Sequence, residues 1–95
     1  MIEWDEDKAR QNIVKHGVSF EEATRVFFDP HFFEVLDEEH STATEQRFVG
    51  YGVIRGVVVA ATVFTEREHT RIISARKADK DERSVYYGRA NRSND

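Results

Sequence analysis

Ninety-five residues with seven Phe, three Tyr and one Trp make one domain with bulky material for a single core. The chain has no cysteine, which excludes a disulfide framework, a thiolate zinc site and a cysteine nucleophile. Net charge is −4, divided into −7 over residues 1–66 and +3 over residues 67–95, so the C-terminal part can turn a basic surface to phosphate.

Residues 1–4 are apolar at Ile2 and Trp4 and read as a brief edge strand or an aromatic plug. Asp5 is placed to cap a helix that runs to His16. Glu6 and Asp7 suit its positive end, Lys15 and His16 its negative end, and Gly17 a left-handed stop. Ala9, Ile13 and His16, with Asn12 beside them, mark one face. Ser19 and Glu22 match a capping box, and Val18 and Ala23 a hydrophobic staple. A second helix is therefore predicted, with the stripe Phe20, Ala23, Val26 and Phe27, ended by Asp29-Pro30.

From His31 the period changes to two. Phe33 and Val35 alternate with Phe32, Glu34 and Leu36, as in a strand. Residues 37–44 are a polar loop. Residues 45–55 form the next strand, with Val49, Tyr51 and Val53 on one face. Gly50 and Gly52, on the other, mark a bulge or close packing by a neighbour. Arg55-Gly56 turns the chain into residues 57–64, a run of eight that is apolar but for Thr62. Strands covered on both faces read this way. Residues 66–70 make a polar link to a last strand, residues 71–76, in an antiparallel hairpin. Asp79 and Glu82 open a final helix with the partial stripe Val85, Tyr86 and Ala90, and the tail 91–95 is expected to fray. The order is two helices, four antiparallel strands and one helix: a single α+β domain over residues 1–95, its helices on one face of the sheet. The other face is left to water, a ligand or a partner. With no signal peptide and no long apolar span, the chain reads as cytoplasmic.

Several blocks resemble the BrnT-type toxins. They are Glu3-Trp4-Asp5, Lys8, Asn12, Lys15-His16-Gly17-Val18-Ser19-Phe20 and Phe27-Phe28-Asp29-Pro30. Further along, Arg47-Phe48, Val63-Phe64-Thr65-Glu66-Arg67 and Arg71-Ile72-Ile73-Ser74-Ala75-Arg76-Lys77-Ala78 look like the family's remaining blocks. The likeness covers residues 2–87. It implies a RelE-like fold with two N-terminal helices, a four-stranded antiparallel sheet and a C-terminal helix. It also implies a metal-independent endoribonuclease that needs no cofactor and inhibits translation. The implied partners are an RNA substrate and a BrnA-like ribbon-helix-helix antitoxin, through which alone DNA is reached, in a homodimer or a 2:2 complex. No membrane is involved. The alternative is a catalytically inactive module that serves a ribbon-helix-helix repressor.

Cleaving RNA without a metal requires a proton taken from the 2′-hydroxyl, one given to the leaving oxygen, and charge stabilised between them. Arg76 is the first candidate for the charge, because a guanidinium fork grips two phosphate oxygens. In a regular strand Arg76 shares a face with Ile72 and Ser74, while Arg71, Ile73 and Ala75 share the other. The competing reading of Arg76 is a strand-end arginine paired to Glu82 or another carboxylate. Arg67 is the second candidate, with Glu66 as base or orienting partner; both also read as an exposed charged turn. Arg67 and Arg76 are expected to converge on one linkage. Tyr86 can donate a proton or stack on a base, or simply pack the last helix. Lys77 and Arg71 are further contacts for RNA. Lys8 and Lys15, two helical turns apart, can reach the RNA backbone together with His16, or be ordinary solvated charges. His31, His40 and His69 show no metal-ligand spacing.

Overall fold

The computed structural model describes residues 1–93. Local signals hold at both N-terminal helices. Asp5 caps α1 (Glu6–His16), accepting the Lys8 N–H at 3.1 Å, and Gly17 closes it at φ 69°. Ser19 caps α2 (Phe20–Ala23): the Glu22 N–H donates to Ser19 Oγ at 3.0 Å, and that hydroxyl donates back to Glu22 Oε1 at 3.3 Å. The predicted second helix is α-helical for only one turn. Over Thr24–Phe28 it tightens into a 3-10 helix before Pro30 stops it. This segment lies directly on Gly52, where a Cβ would come 2.8 Å from Val26 Cα. Gly50 is pressed in the same way by the Phe32 and Phe64 rings, so both glycines serve close packing.

The sheet has five strands, not four, and is mixed. The strands are β1 (Ile2–Glu3), β2 (Phe33–Leu36), β3 (Arg47–Arg55), β4 (Val58–Glu66) and β5 (Thr70–Lys77), in the order β1-β5-β4-β3-β2. β1 runs parallel to β5 at Thr70 and Arg71. Two residues carry no readable period, so the sequence left it open between strand and plug. Beyond Arg71 the outer edge of β5 is taken up by a side chain. The Asn12 amide donates to Ala75 O and Val18 O, each at 2.8 Å, and accepts the Ala75 N–H at 3.2 Å. A buried asparagine thus stands in for a neighbouring strand.

The main core lies between the N-terminal helices and one sheet face: Val18, Phe20, Ala23 and Val26 meet Ile54, Ala60, Ile72 and Ala75. The last helix, α3 (Lys80–Ser93), packs on the opposite face. There Tyr86 and Ala78 meet Val59, with Phe33, Tyr51 and Val53 around them. The expectation of helices on one face only is corrected. α3 explains the long apolar run instead, since Val59, Ala60, Ala61 and Phe64 are all at most 1% exposed. Val57, the first residue of that run, sits in the turn and is exposed. Of the tail expected to fray, residues 91–93 continue α3 and residues 94–95 lie outside the described residues.

Candidate functional site

Register assembles the residues of the second sheet face into rows. Phe33, Tyr51, Ala61 and Arg76 face one another across β2, β3, β4 and β5. The next row is Val35, Val49, Val63 and Ser74. Beyond it, near the β4–β5 turn, come Arg47, Thr65, Arg71 and Glu3. α3 lies over the first row and leaves the other two open. The position of Arg71 is a correction. Val63 pairs with Ser74 but Phe64 with Ile72, so Ile73 is an extra residue, a β-bulge. Ile72 and Ala75 consequently both point into the core, at 1% exposure each. Arg71 is carried onto the face of Ser74 and Arg76. Without the bulge, strand alternation would put Arg71 and Arg76 on opposite faces.

At the α3 end, Arg76 is held in a fork. Its Nη1 and Nη2 donate to the two oxygens of Glu82 at 2.7 and 2.9 Å, and Tyr51 donates its hydroxyl to the same carboxylate at 2.6 Å. Ala61 between them is small enough to let both side chains reach α3. The Arg76 hydrogen bonds hold the Glu82 carboxyl down to about 2. Burial and the adjacent Glu82 charge push the Tyr51 phenol above its usual range. The pairing of a strand-end arginine with Glu82, weighed from sequence as the competing reading, is the observed arrangement.

At the other end, a cleft of about 550 Å³ opens beside the β4–β5 turn, lined by Glu3, Glu45, Thr65, Arg71 and the turn residues 67–69. Arg67 donates to Glu45 at 2.6 Å and Arg71 to Glu3 at 2.7 Å. These pairs are half-exposed and open to exchange with solvent or a ligand. Glu66 pairs in register with Thr70 and accepts its hydroxyl at 2.7 Å, so it does not share the cleft with Arg67. The expected convergence of Arg67 and Arg76 fails. Arg67 lies in the turn before β5 and Arg76 near the far end of that strand, roughly 20 Å apart at strand rise, and each is tied to its own carboxylate. Closeness in sequence hides this, because an extended strand separates what a loop would gather.

The remaining candidates fall elsewhere. Tyr86 is 3% exposed, and its hydroxyl donates to Asp29, which also accepts the His31 and Val53 N–H groups. Burial and the Asp29 charge push its phenol up. Lys77 pairs in register with Ala60, a core-facing position, and so points away from the face of Arg76. Lys8, Lys15 and His16 do come together, along a shallow groove of about 230 Å³ between α1 and the β5 bulge. Sequence reasoning did not single out Tyr51 or Glu45 as site residues. Tyr51 carried only a strand period, and Glu45 reaches Arg67 across 22 residues. Among the described residues no three His, Asp or Glu side chains gather as a metal-binding group.

A family model described as ribonuclease toxin, BrnT, of type II toxin–antitoxin system matches residues 4–82. The crystal structure of the Brucella abortus ribonuclease toxin BrnT superposes with a TM-score of 0.60 at 26% identity, over 84% of this chain and 100% of that one. No match is found among curated protein sequences. The family match spans most of the chain and every strand of the sheet except β1. The chain therefore belongs to the BrnT family of ribonuclease toxins of type II toxin–antitoxin systems.

Proposed function

We propose that the protein is an endoribonuclease that cleaves RNA without a metal ion and so inhibits translation, with its reaction centre in the cleft beside the β4–β5 turn. A BrnA-like ribbon-helix-helix antitoxin neutralises it. Family membership supports the activity. The observation that carries the location is the β-bulge that sets Arg71 on the open face, where it meets Arg67 and His69 around one concavity. Arg76 is the weaker choice for the scissile phosphate, since Glu82 already occupies its fork.

In this reading Arg71 and Arg67 exchange their carboxylates for phosphate oxygens. The 2′-hydroxyl attacks the adjacent phosphorus, its proton passes to a base, and the 5′-oxygen leaves with a proton from an acid. His69 and the carboxylates released from the arginines supply groups that take and give protons there. Such groups typically contribute ~10²–10⁴-fold, and two positioned cations stabilise the doubly charged phosphorane-like transition state. Glu66 and Tyr86, engaged by Thr70 and Asp29, have no part in this step.

The second reading, an inactive module that serves a repressor, is favoured by one observation: Arg67, Arg71 and Arg76 all carry a carboxylate partner. Expression of the intact protein separates the two. An active nuclease arrests growth and cuts RNA in EDTA, and Arg71→Ala lowers cleavage by 10²-fold or more. If Arg71→Ala retains full activity while Arg76→Ala loses it, the reaction centre lies at the α3 end instead. A well-folded wild type that leaves cells growing and RNA intact supports the inactive module.

A further inference from the structure

The groove between α1 and β5 lies further along the same strand that walls the cleft. Arg71 stands at the cleft wall, and two residues on, the bulge turns Ile73 and Ser74 into the groove. Lys8, Gln11, Lys15 and His16 of α1 face them. Asp5, at the start of α1, joins the two places. Its carboxyl is lowered first by the Lys8 N–H it caps, and also by the nearby Lys8 and Arg71 charges. Lys8 and Lys15 are exposed, and among the described residues neither has an ion-pair partner. They differ in this from Arg67, Arg71 and Arg76.

We propose that this groove is the track for single-stranded RNA that extends beyond the cleft, with Lys8 and Lys15 each gripping a backbone phosphate. The inference rests on the nuclease reading above and names a second subsite for its substrate. Two helical turns separate the lysines by roughly 10 Å, which puts them on different phosphates of one strand. The lining consists of donors with Ile73 as its single aliphatic side chain. That suits a sugar–phosphate backbone and lacks the aromatic and aliphatic anchors by which protein partners bind. Nothing in the groove offers a pocket for reading a base, so binding there is independent of sequence.

The test compares wild type with Lys8→Ala/Lys15→Ala on a tetranucleotide and on a single-stranded RNA of about 20 nucleotides. The tetranucleotide should be cut equally by both. On the long RNA the variant should show KM raised about tenfold, as expected for two exposed ion pairs in the upper half of their range, with kcat unchanged. The slope of log KM against log salt should fall by about 1.4, the value for two single-strand phosphate contacts. Unchanged KM and salt slope on the long RNA overturn the proposal. Should wild type cut no RNA, the nuclease reading has failed by itself. Fluorescence anisotropy with the same labelled RNA then decides the groove: weaker binding by the variant supports it, and equal binding refutes it. A variant that binds RNA normally but no longer captures the antitoxin identifies the groove as a protein interface and also overturns the proposal.

Discussion

Replacing Glu82 by Gln tests the cluster that docks α3 on the sheet. The carboxylate receives both Arg76 nitrogens, the Tyr51 hydroxyl and the Asp79 N–H at 2.9 Å, while its own N–H returns to Asp79 at 2.8 Å. That reciprocal pair is a capping box, so one side chain both starts the helix and fastens it. A carboxyl lowered from 4.5 to about 2 corresponds to about 3 kcal/mol if fully expressed. The Glu82 side chain is 18% exposed but that of Arg76 is 44%, and water screens the pair, which leaves about 1–2 kcal/mol. At pH 7, Glu82→Gln should therefore melt roughly 5–10 °C below wild type. The sign follows from the direction of the shift. A carboxyl held low in the folded state contributes fully above its unfolded value near 4.5 and loses that contribution as pH falls towards 2. The gap between wild type and variant should thus be constant from pH 8 to 6 and shrink to under about half by pH 3. Urea unfolding at each pH reads it directly. A gap absent at pH 7, or undiminished at pH 3, would refute the assignment of the cluster as an ionic fastening.

Asn12→Ala should cost about 2–4 kcal/mol in urea unfolding, because it leaves the Val18 carbonyl and both Ala75 peptide groups buried without partners; a loss below about 0.5 kcal/mol contradicts the strand-substitute role. Two glycines should respond in opposite directions. Gly52→Ala drives a Cβ into the Val26 backbone and should destabilise by about 3 kcal/mol. Gly88→Ala, in the middle of α3 with open space around it, should stabilise by about 0.5–1 kcal/mol. Tyr86→Phe removes the hydroxyl from Asp29 and should cost about 1–3 kcal/mol, while RNA cleavage per folded molecule stays unchanged. Full stability with lost cleavage would return Tyr86 to the chemistry.

Much of the fold was legible because its signals are local. Asp5, Gly17 and Ser19 act within four residues of the groups they satisfy, and the alternation of Phe33 and Val35 needs only a strand to express it. The candidate site was legible in part. Residues 67–69 of the charged link and Arg71 do line a concavity, but the carboxylate partners of its arginines, Glu3 and Glu45, come from distant parts of the chain. Arg76 and Arg67 were joined on the strength of a hairpin, and the hairpin is what holds them apart.

By itself the sequence determined the caps, the helix stops, the order of the long strands and the family. Those depend on contacts between near neighbours or on blocks read in order. The tertiary structure alone decided which face α3 covers, that β1 joins the sheet, and on which side Arg71 emerges. One inserted residue at Ile73 reverses every later side chain of β5, and only the pairing with β4 reveals where that residue is absorbed.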